Sequence, residues 1–407
     1  MRDAPPSRTR PWLLRLIMLL AVPPVLLAFA ELVLRLAGVG HPATITLRTR
    51  DNGRTVHYEN ARFGWRFFPP QIARKTDPFM FAMPKPADTV RIFVLGSSAA
   101  QGEPDGAFAF SRMLQAMLEH AHPGVRFEVI NLAMPAINSH AVRLIARECV
   151  RYAPDLLIVY MGNNEFVGPY GAGTVFAPLS ASRAVIRLDL ALKATRLGQT
   201  LLRLAGPLVP AVRQGPRVWH GLAMFQASVV TADDPRLETV YRHFRHNLAD
   251  ILEAAVAARV PVLACTVGVN LRDCPPFASR HRPDLPPAAQ ARWKDLYRAA
   301  VAAESAGRHP DAIASFLAAR ELDDHYANLH FRLARCYEAV GDGERARESY
   351  VRARDRDVLR FRADSRINAT IVSLARHREA EGVELVDTAL ALATACSNGI
   401  PGSTVFY

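Results

Sequence analysis

The chain has 407 residues, half of them apolar, and its 50 lysines and arginines against 38 acids give a formal net charge of +12. This length suffices for two or three domains with a large core, and the apolar content excludes a long disordered chain. Nearly all the cations are arginines spread along the chain without a dense basic run, so we predict no nucleic-acid partner.

An apolar segment near the N-terminus predicts a membrane anchor. Residues 1–10 carry three arginines, and residues 11–40 are almost wholly apolar. Basic residues before an apolar segment orient it with its N-terminus in the cytoplasm. One alternative is a signal peptide cleaved after the small-x-small sequence Ala28-Phe29-Ala30. We favour a single-pass anchor in the inner (cytoplasmic) membrane because the apolar pattern continues through Leu32–Val39. Either way, the rest of the chain lies outside the cytoplasm.

Strand-like and helix-like stretches alternate after residue 90. The apolar, β-branched-rich runs that predict strands are 91–96, 126–130, 155–160, 260–266 and 382–387. Strands alternating with helices are typical of a parallel α/β sheet that carries helices on both faces. The carboxyl ends of such strands meet at one edge, where ligands bind.

The first predicted strand ends in Gly96-Ser97-Ser98. A serine at the carboxyl edge of a parallel sheet is well placed for nucleophilic attack, and the helix that follows would provide N–H groups for an oxyanion. The alternative is an ordinary strand-to-helix turn in which one of the two serines caps the helix.

Residues 293–360 contain two copies of a 34-residue pattern. Small residues, a turn glycine and an aromatic recur at equal offsets: Ala300, Gly307, Ala312 and Phe316 correspond to Ala334, Gly341, Ala346 and Tyr350. These are the residues that stacked helix-turn-helix units need, and the pattern resembles the tetratricopeptide repeat. The repeats are a candidate protein-interaction surface, and the alternative is a structural insert.

Three of the strand-end loops together resemble the SGNH (GDSL-type) hydrolase family. Gly96-Ser97-Ser98 stands where that family has Gly-Asp-Ser, so the resemblance implies that Ser98 is the nucleophile. It also implies that the backbone N–H of Ala136 and the side-chain amide of Asn164, in Gly162-Asn163-Asn164-Glu165, donate to the oxyanion. Ser97 departs from the family, which has an acid there. The implied fold is a three-layer α/β/α, flavodoxin-like parallel sheet with an all-α helical-repeat insertion and an N-terminal transmembrane helix.

The family takes its base from an Asp-x-x-His block near the C-terminus. No such block lies between Asp387 and Tyr407, so we expect the chain to be incomplete and the base to lie beyond Tyr407. His140 is a candidate substitute, although a histidine at a helix start is more often solvated or capping.

The cysteine pattern predicts neither a metal site nor a cofactor. The five cysteines include no C-x-x-C pair and no Cys/His ligand spacing, so we expect no structural zinc. Cys265 and Cys274 are close enough in sequence to form a disulfide in an oxidising compartment. Their spacing alone does not decide whether they do.

These inferences divide the chain into eight segments. They are a cytoplasmic N-terminus (1–10), a transmembrane signal anchor (11–40), a lead-in segment (41–89), a first part of the hydrolase-like core (90–166), a helical cap insertion (167–233), a second part of the core (234–285), two TPR-like repeats (293–360) and an incomplete return to the core (361–407).

The expected function is that of an exported, membrane-anchored serine esterase or O-deacetylase. Its substrate would be an acyl ester of an envelope carbohydrate or lipid. Two alternatives remain: an O-acyltransferase that uses the same serine, and a non-catalytic envelope scaffold that binds partners through the repeats.

Overall fold

The computed structural model describes residues 11–176, 181–205 and 218–406. The predicted cytoplasmic segment 1–10 and parts of the predicted cap therefore lie outside the described residues. The chain divides into two compact units. The first comprises residues 1–44 and 182–215, and the second comprises residues 45–181 and 216–407.

The described α-helices are numbered in chain order. They are α1 (Pro11–Leu36), α2 (Ser98–Gln101), α3 (Phe110–Ala121), α4 (Ser139–Cys149), α5 (Arg183–Ala194), α6 (Arg196–Ala205), α7 (Arg236–Ala257), α8 (Pro287–Ser305), α9 (His309–Leu322), α10 (Ala327–Ala339), α11 (Gly343–Asp355), α12 (Ser365–His377) and α13 (Thr388–Thr394).

The described strands form two sheets. They are β1 (Thr46–Asp51), β2 (Arg54–Glu59), β3 (Met80–Met83), β4 (Thr89–Gly96), β5 (Arg126–Asn131), β6 (Leu156–Tyr160), β7 (Val262–Cys265) and β8 (Val383–Val386).

The first unit contains an apolar helix that is long enough to cross a membrane. Within α1, the window Met18–Leu36 has a mean hydropathy of 2.0, and none of it is buried. Helices of this length and composition match the roughly 20 apolar residues that span a bilayer. Pro23 and Pro24 lie inside α1 without ending it. The helix agrees with the predicted anchor in position and composition.

The second unit is built on a parallel five-stranded sheet. Its strand order is β5-β4-β6-β7-β8, and every neighbouring pair is parallel. Each of these strands agrees with its sequence prediction to within two residues at either end. The α/β class with a parallel sheet is therefore confirmed.

Strand β4 lies inside the sheet and is covered on both faces. Ile92 and Val94 belong to an apolar cluster that also includes Phe110 and Leu114 of α3. Phe93, which points to the other face, is fully buried as well. Burial on both faces explains why β4 is a continuous apolar run rather than an alternating one.

A second, antiparallel sheet precedes the parallel one. Strands β1, β2 and β3 lie in that order within the predicted lead-in segment, for which the sequence analysis named no secondary structure. The two residues between β1 and β2 are Asn52 and Gly53, both with positive φ (47° and 77°). Asn-Gly between two strands is the strongest short-range hairpin signal, and it was overlooked in the sequence.

The repeat region folds as two consecutive helix pairs, α8–α9 and α10–α11. The glycines between the members of each pair, Gly307 and Gly341, have φ of +72° and +82°. The small and aromatic residues at equivalent offsets are all buried in one apolar cluster: Ala300, Ala312, Phe316, Ala334, Ala346 and Tyr350. The 34-residue period therefore corresponds to packing positions that recur in both pairs.

Candidate functional site

The three loops of interest follow three neighbouring strands. In the sheet, β4 pairs with β5 on one side and with β6 on the other, and Gly96 lies opposite Tyr160. The chain passes from β4 to β5 and then back across β4 to β6, so the strand order reverses here. The carboxyl edge beside such a reversal is where open α/β sheets bind ligands.

The first loop presents Ser98 and buries Ser97. Ser98 is partly exposed and begins α2, whereas Ser97 is 3% exposed. Ser97 is the N-cap residue of α2, but its side chain makes no capping hydrogen bond. The alternative that the Ser97 side chain caps the following helix is therefore wrong.

The helix that follows Ser97 is much shorter than expected. Helix α2 has only four residues and ends at Gly102, which has φ of +101°. The next full helix, α3, begins at Phe110. A single turn has little of the partial charge of a long helix, so the expected contribution of a helix N-terminus to oxyanion stabilisation is small here.

The second loop lies against the first. The N–H of Met134 donates to the carbonyl of Gly96 at 3.3 Å, and Asn131 Nδ2 donates to the carbonyl of Ala100 at 2.8 Å. Ala136 has φ of +61°, a conformation that favours glycine. The resemblance places Ala136 where the family has glycine, and the backbone conformation gives a physical reason for that preference.

The third loop is joined to the second by a side chain. Asn164 is 8% exposed, and its Nδ2 donates to the carbonyl of Ile137 at 3.2 Å. An amide nitrogen carries two donors, so this bond uses one of them. The backbone carbonyl of Asn164 accepts a hydrogen bond from the N–H of Gly168 at 2.8 Å, which closes the third loop.

Hydrogen bonds thus link the first loop to the second and the second to the third. The structure brings together the backbone of Gly96, Met134 and Ile137 with the amide of Asn164. The convergence of Ser98 Oγ, Ala136 N–H and the Asn164 amide on one reacting atom remains a prediction.

A buried polar network behind these loops was missed in the sequence. Both carboxylate oxygens of Glu165 accept from Ser139, which begins α4, and Ser139 Oγ accepts from Asn247 Nδ2 at 3.1 Å. Asn247 Nδ2 also lies 3.1 Å from His140 Nδ1. In the sequence, the only sign of this network is that the acid Glu165 follows Asn164. Its partner Asn247 lies over 80 residues further along the chain, on α7.

Burial raises the pKa of Glu165 to about 7, although the hydrogen bonds from Ser139 oppose the shift. Perturbed acids cluster at functional sites, and they also occur in structural networks. The contacts of Glu165 are to the backbone and hydroxyl of Ser139, so it positions the loops.

His140 belongs to this network. It is 5% exposed, and its ring lies edge-on to those of Tyr170 and His243, with centroids 5.5 and 5.3 Å away. Among the described residues no hydrogen bond joins a histidine to Ser98. The structure therefore gives His140 a buried environment next to the loops, and its role as a substitute base stays a prediction.

Two further sequence questions concern metals and disulfides. Within residues 11–176, 181–205 and 218–406, no group of three or more His, Cys, Asp or Glu side chains is placed to hold a metal ion. All five cysteines are free thiols, so Cys265 and Cys274 are not paired.

A comparison of the chain with protein-family models, with curated proteins and with solved structures found no match. The fold and loops define an α/β protein with a parallel sheet and a candidate site at its carboxyl edge. The resemblance to a family of enzymes rests on the residues of the three loops.

Proposed function

We propose that the protein is a membrane-anchored SGNH-type serine esterase or O-deacetylase that acts on an acyl ester of an envelope carbohydrate or lipid. In this proposal α1 is a single-pass anchor in the inner membrane, with its N-terminus in the cytoplasm and the α/β unit outside. The strand order, numbered by sequence as 2-1-3-4-5, is that of flavodoxin-like folds. The helix pairs α8–α9 and α10–α11 are a TPR-like insertion in this reading.

The observation that carries the proposal is the hydrogen-bonded association of the three loops. Gly96, two residues before Ser98, accepts from Met134 N–H, and Asn164 binds the carbonyl next to Ala136. Ester cleavage needs a nucleophile and donors to the tetrahedral oxyanion. Ser98 supplies the nucleophile, and Ala136 N–H and the second Asn164 donor supply the oxyanion site.

The nucleophile is tested with a fluorescent phosphonate that reacts with activated serines. Ser98→Ala should abolish labelling, and the buried neighbour provides the matched control because Ser97→Ala keeps the Ser98 hydroxyl. Equal labelling of Ser98→Ala and the unmodified protein would eliminate Ser98 as nucleophile.

A second measurement separates hydrolysis from acyl transfer. An ester with an isotopically labelled acyl group is incubated with the protein in the presence and absence of an acceptor carbohydrate. The proposal expects the label in the free acid in both cases. Label in the carbohydrate would instead show a transferase, and unreacted ester in both cases would favour the non-catalytic scaffold.

A further inference from the structure

Helix α5 has an apolar face that the described residues of the protein leave exposed. Its Ile186 and Leu190 are buried, whereas Val185, Leu188 and Leu192 are 56%, 61% and 46% exposed. Spacings of three and four residues place these three side chains along one side of the helix. Helix α5 is therefore apolar on two sides, one buried and one exposed.

Helix α6 also has exposed apolar side chains. Leu201 and Leu204, one turn apart, are 55% and 67% exposed. Single exposed apolar side chains are normal in soluble proteins, but rows of them on two consecutive helices are typical of a surface that meets another apolar phase. We call Val185, Leu188, Leu192, Leu201 and Leu204 the apolar stripe.

The start of α6 is tied to the outer end of α1. The carboxylate of Glu31 accepts from the N–H groups of Arg196 and Leu197 at 3.1 and 2.9 Å. Glu31 lies five residues before Leu36, which is about 8 Å along the helix axis. With Leu36 at the boundary of the proposed membrane span, that distance matches the 5–10 Å to which interfacial helices sink below the headgroups.

A second attachment holds α6 beside the residues that follow α1. Gln199 Oε1 accepts from His41 N–H at 2.9 Å, and Gln199 Nε2 donates to the His41 carbonyl at 3.1 Å. A Cβ at Gly40 would lie 2.6 Å from Gln199 Oε1, so the backbone approaches closely here. Two polar contacts, at Glu31 and at His41, thus hold α6 at this end of α1.

Charge and length both favour a lipid surface as the partner. Residues 182–205 carry five cationic side chains and one acid, Asp189. Asp189 pairs with Lys193, and Arg203 is the cation of this range that is exposed. Helices of 12 and 10 residues are about 18 and 15 Å long, too short to cross an apolar core of about 30 Å. Basic helices with an apolar face that are too short to span a bilayer lie in its interface.

We propose that α5 and α6 form a second membrane-binding element, lying in the outer interface of the bilayer with the apolar stripe among the acyl chains and the exposed Arg203 against lipid phosphates. This inference rests on the proposed anchoring by α1. It is independent of the proposed chemistry at Ser98. A membrane would cover the stripe without any protein partner.

The test measures the surroundings of single spin labels in the full chain, reconstituted in vesicles of phosphatidylethanolamine and phosphatidylglycerol. Cys274→Ser and Cys396→Ser remove the two cysteines that are not buried. Labels are then placed by Leu188→Cys and Leu201→Cys. Leu26→Cys in α1 is the lipid reference, and Leu390→Cys in α13, 62% exposed, is the water reference. The readout is collision with oxygen relative to collision with a water-soluble nickel chelate.

We expect the labels at 188 and 201 to favour oxygen severalfold over the label at 390. Values equal to those at 390 would overturn the inference, and so would protection from both reagents, which would indicate a protein cover. If the label at position 26 favours oxygen and the labels at 188 and 201 match the one at 390, this inference is refuted and the anchor is not. A water value at 26 refutes the anchor as well, and phosphonate labelling of Ser98 tests the chemistry separately.

Discussion

Glu165 accepts two hydrogen bonds from Ser139, one from the backbone N–H at 2.8 Å and one from the hydroxyl at 2.7 Å. The bonds join the loop after β6 to the start of α4, just beyond the loop that carries Ala136. Because Glu165 follows Asn164 directly, its carboxyl group helps to fix the candidate oxyanion donor. The acid is 3% exposed, and its ionisation therefore affects both stability and site geometry.

The first prediction concerns pH. Burial raises the pKa of Glu165 to about 7 from 4.5, so the folded protein holds a proton that the unfolded chain releases. The stability from this group is fully present below about 4.5 and is lost as pH rises through about 7. Glu165→Gln, which resembles the protonated acid, should flatten this dependence by up to about 3 kcal/mol. The measurement is urea unfolding at pH 5 and pH 8; an unchanged slope would contradict the assignment.

The second prediction concerns the oxyanion donor. Asn164→Asp keeps the size of the side chain but replaces its donors with a charge, so we expect kcat to fall about 10²–10³-fold with little change in KM. Asn163→Asp is the matched control, because Asn163 Oδ1 accepts from Ala363 N–H and a carboxylate retains that bond. The rates of hydrolysis of an aryl acetate are measured for both variants and for the unmodified protein. Equal losses in both variants would remove Asn164 from the proposed mechanism.

The third prediction compares two arginines that meet the same acid. The Arg91 side chain is fully buried and donates to Glu128, to the Tyr152 carbonyl and to the Ala82 carbonyl, all at 2.8–2.9 Å. Arg91→Ala would leave these partners unsatisfied and should lower the free energy of unfolding by about 3–5 kcal/mol.

The neighbouring Arg126 provides its control. It lies 3.6 Å from Glu128, and its side chain is 64% exposed. Arg126→Ala should change the free energy of unfolding by less than about 0.5 kcal/mol, because exposed pairs are worth little. Urea unfolding monitored by tryptophan fluorescence compares the two variants. Similar losses of unfolding free energy would refute the structural role of Arg91.

The fourth prediction concerns the close approach of β4 and β6. A Cβ at Gly96 would lie 2.2 Å from the Tyr160 carbonyl oxygen and 2.5 Å from Ala100 Cβ. Since one obstacle is backbone, Gly96→Ala must separate the strands, with a loss of at least about 1–3 kcal/mol in stability. Gly124→Ala meets nothing within 4 Å and carries only the strain of φ +95°. Thermal unfolding should therefore show the larger loss for Gly96→Ala; the reverse order would contradict this packing.

Elements with a strong local pattern were predictable from the sequence. The buried strand β4 is predicted by the continuous apolar run Ile92–Leu95, and the turns at Gly307 and Gly341 by the 34-residue period. The antiparallel sheet was missed although Asn52-Gly53 signals its hairpin, because β1 is mostly exposed and polar and lacks an apolar periodicity. For such strands, turn chemistry is a better guide than hydropathy.

The sequence by itself determined the parallel α/β class, the apolar N-terminal helix and the loops that carry Ser98, Ala136 and Asn164, because apolar periodicity and turn residues act over short stretches of chain. Only the tertiary structure decided which distant groups meet. Ser139 links Glu165 to Asn247 by hydrogen bonds. Glu31 accepts a hydrogen bond from the first turn of α6, more than 160 residues away in sequence. Such contacts depend on how elements pack, and a buried carboxylate needs donors that its sequence neighbours cannot supply.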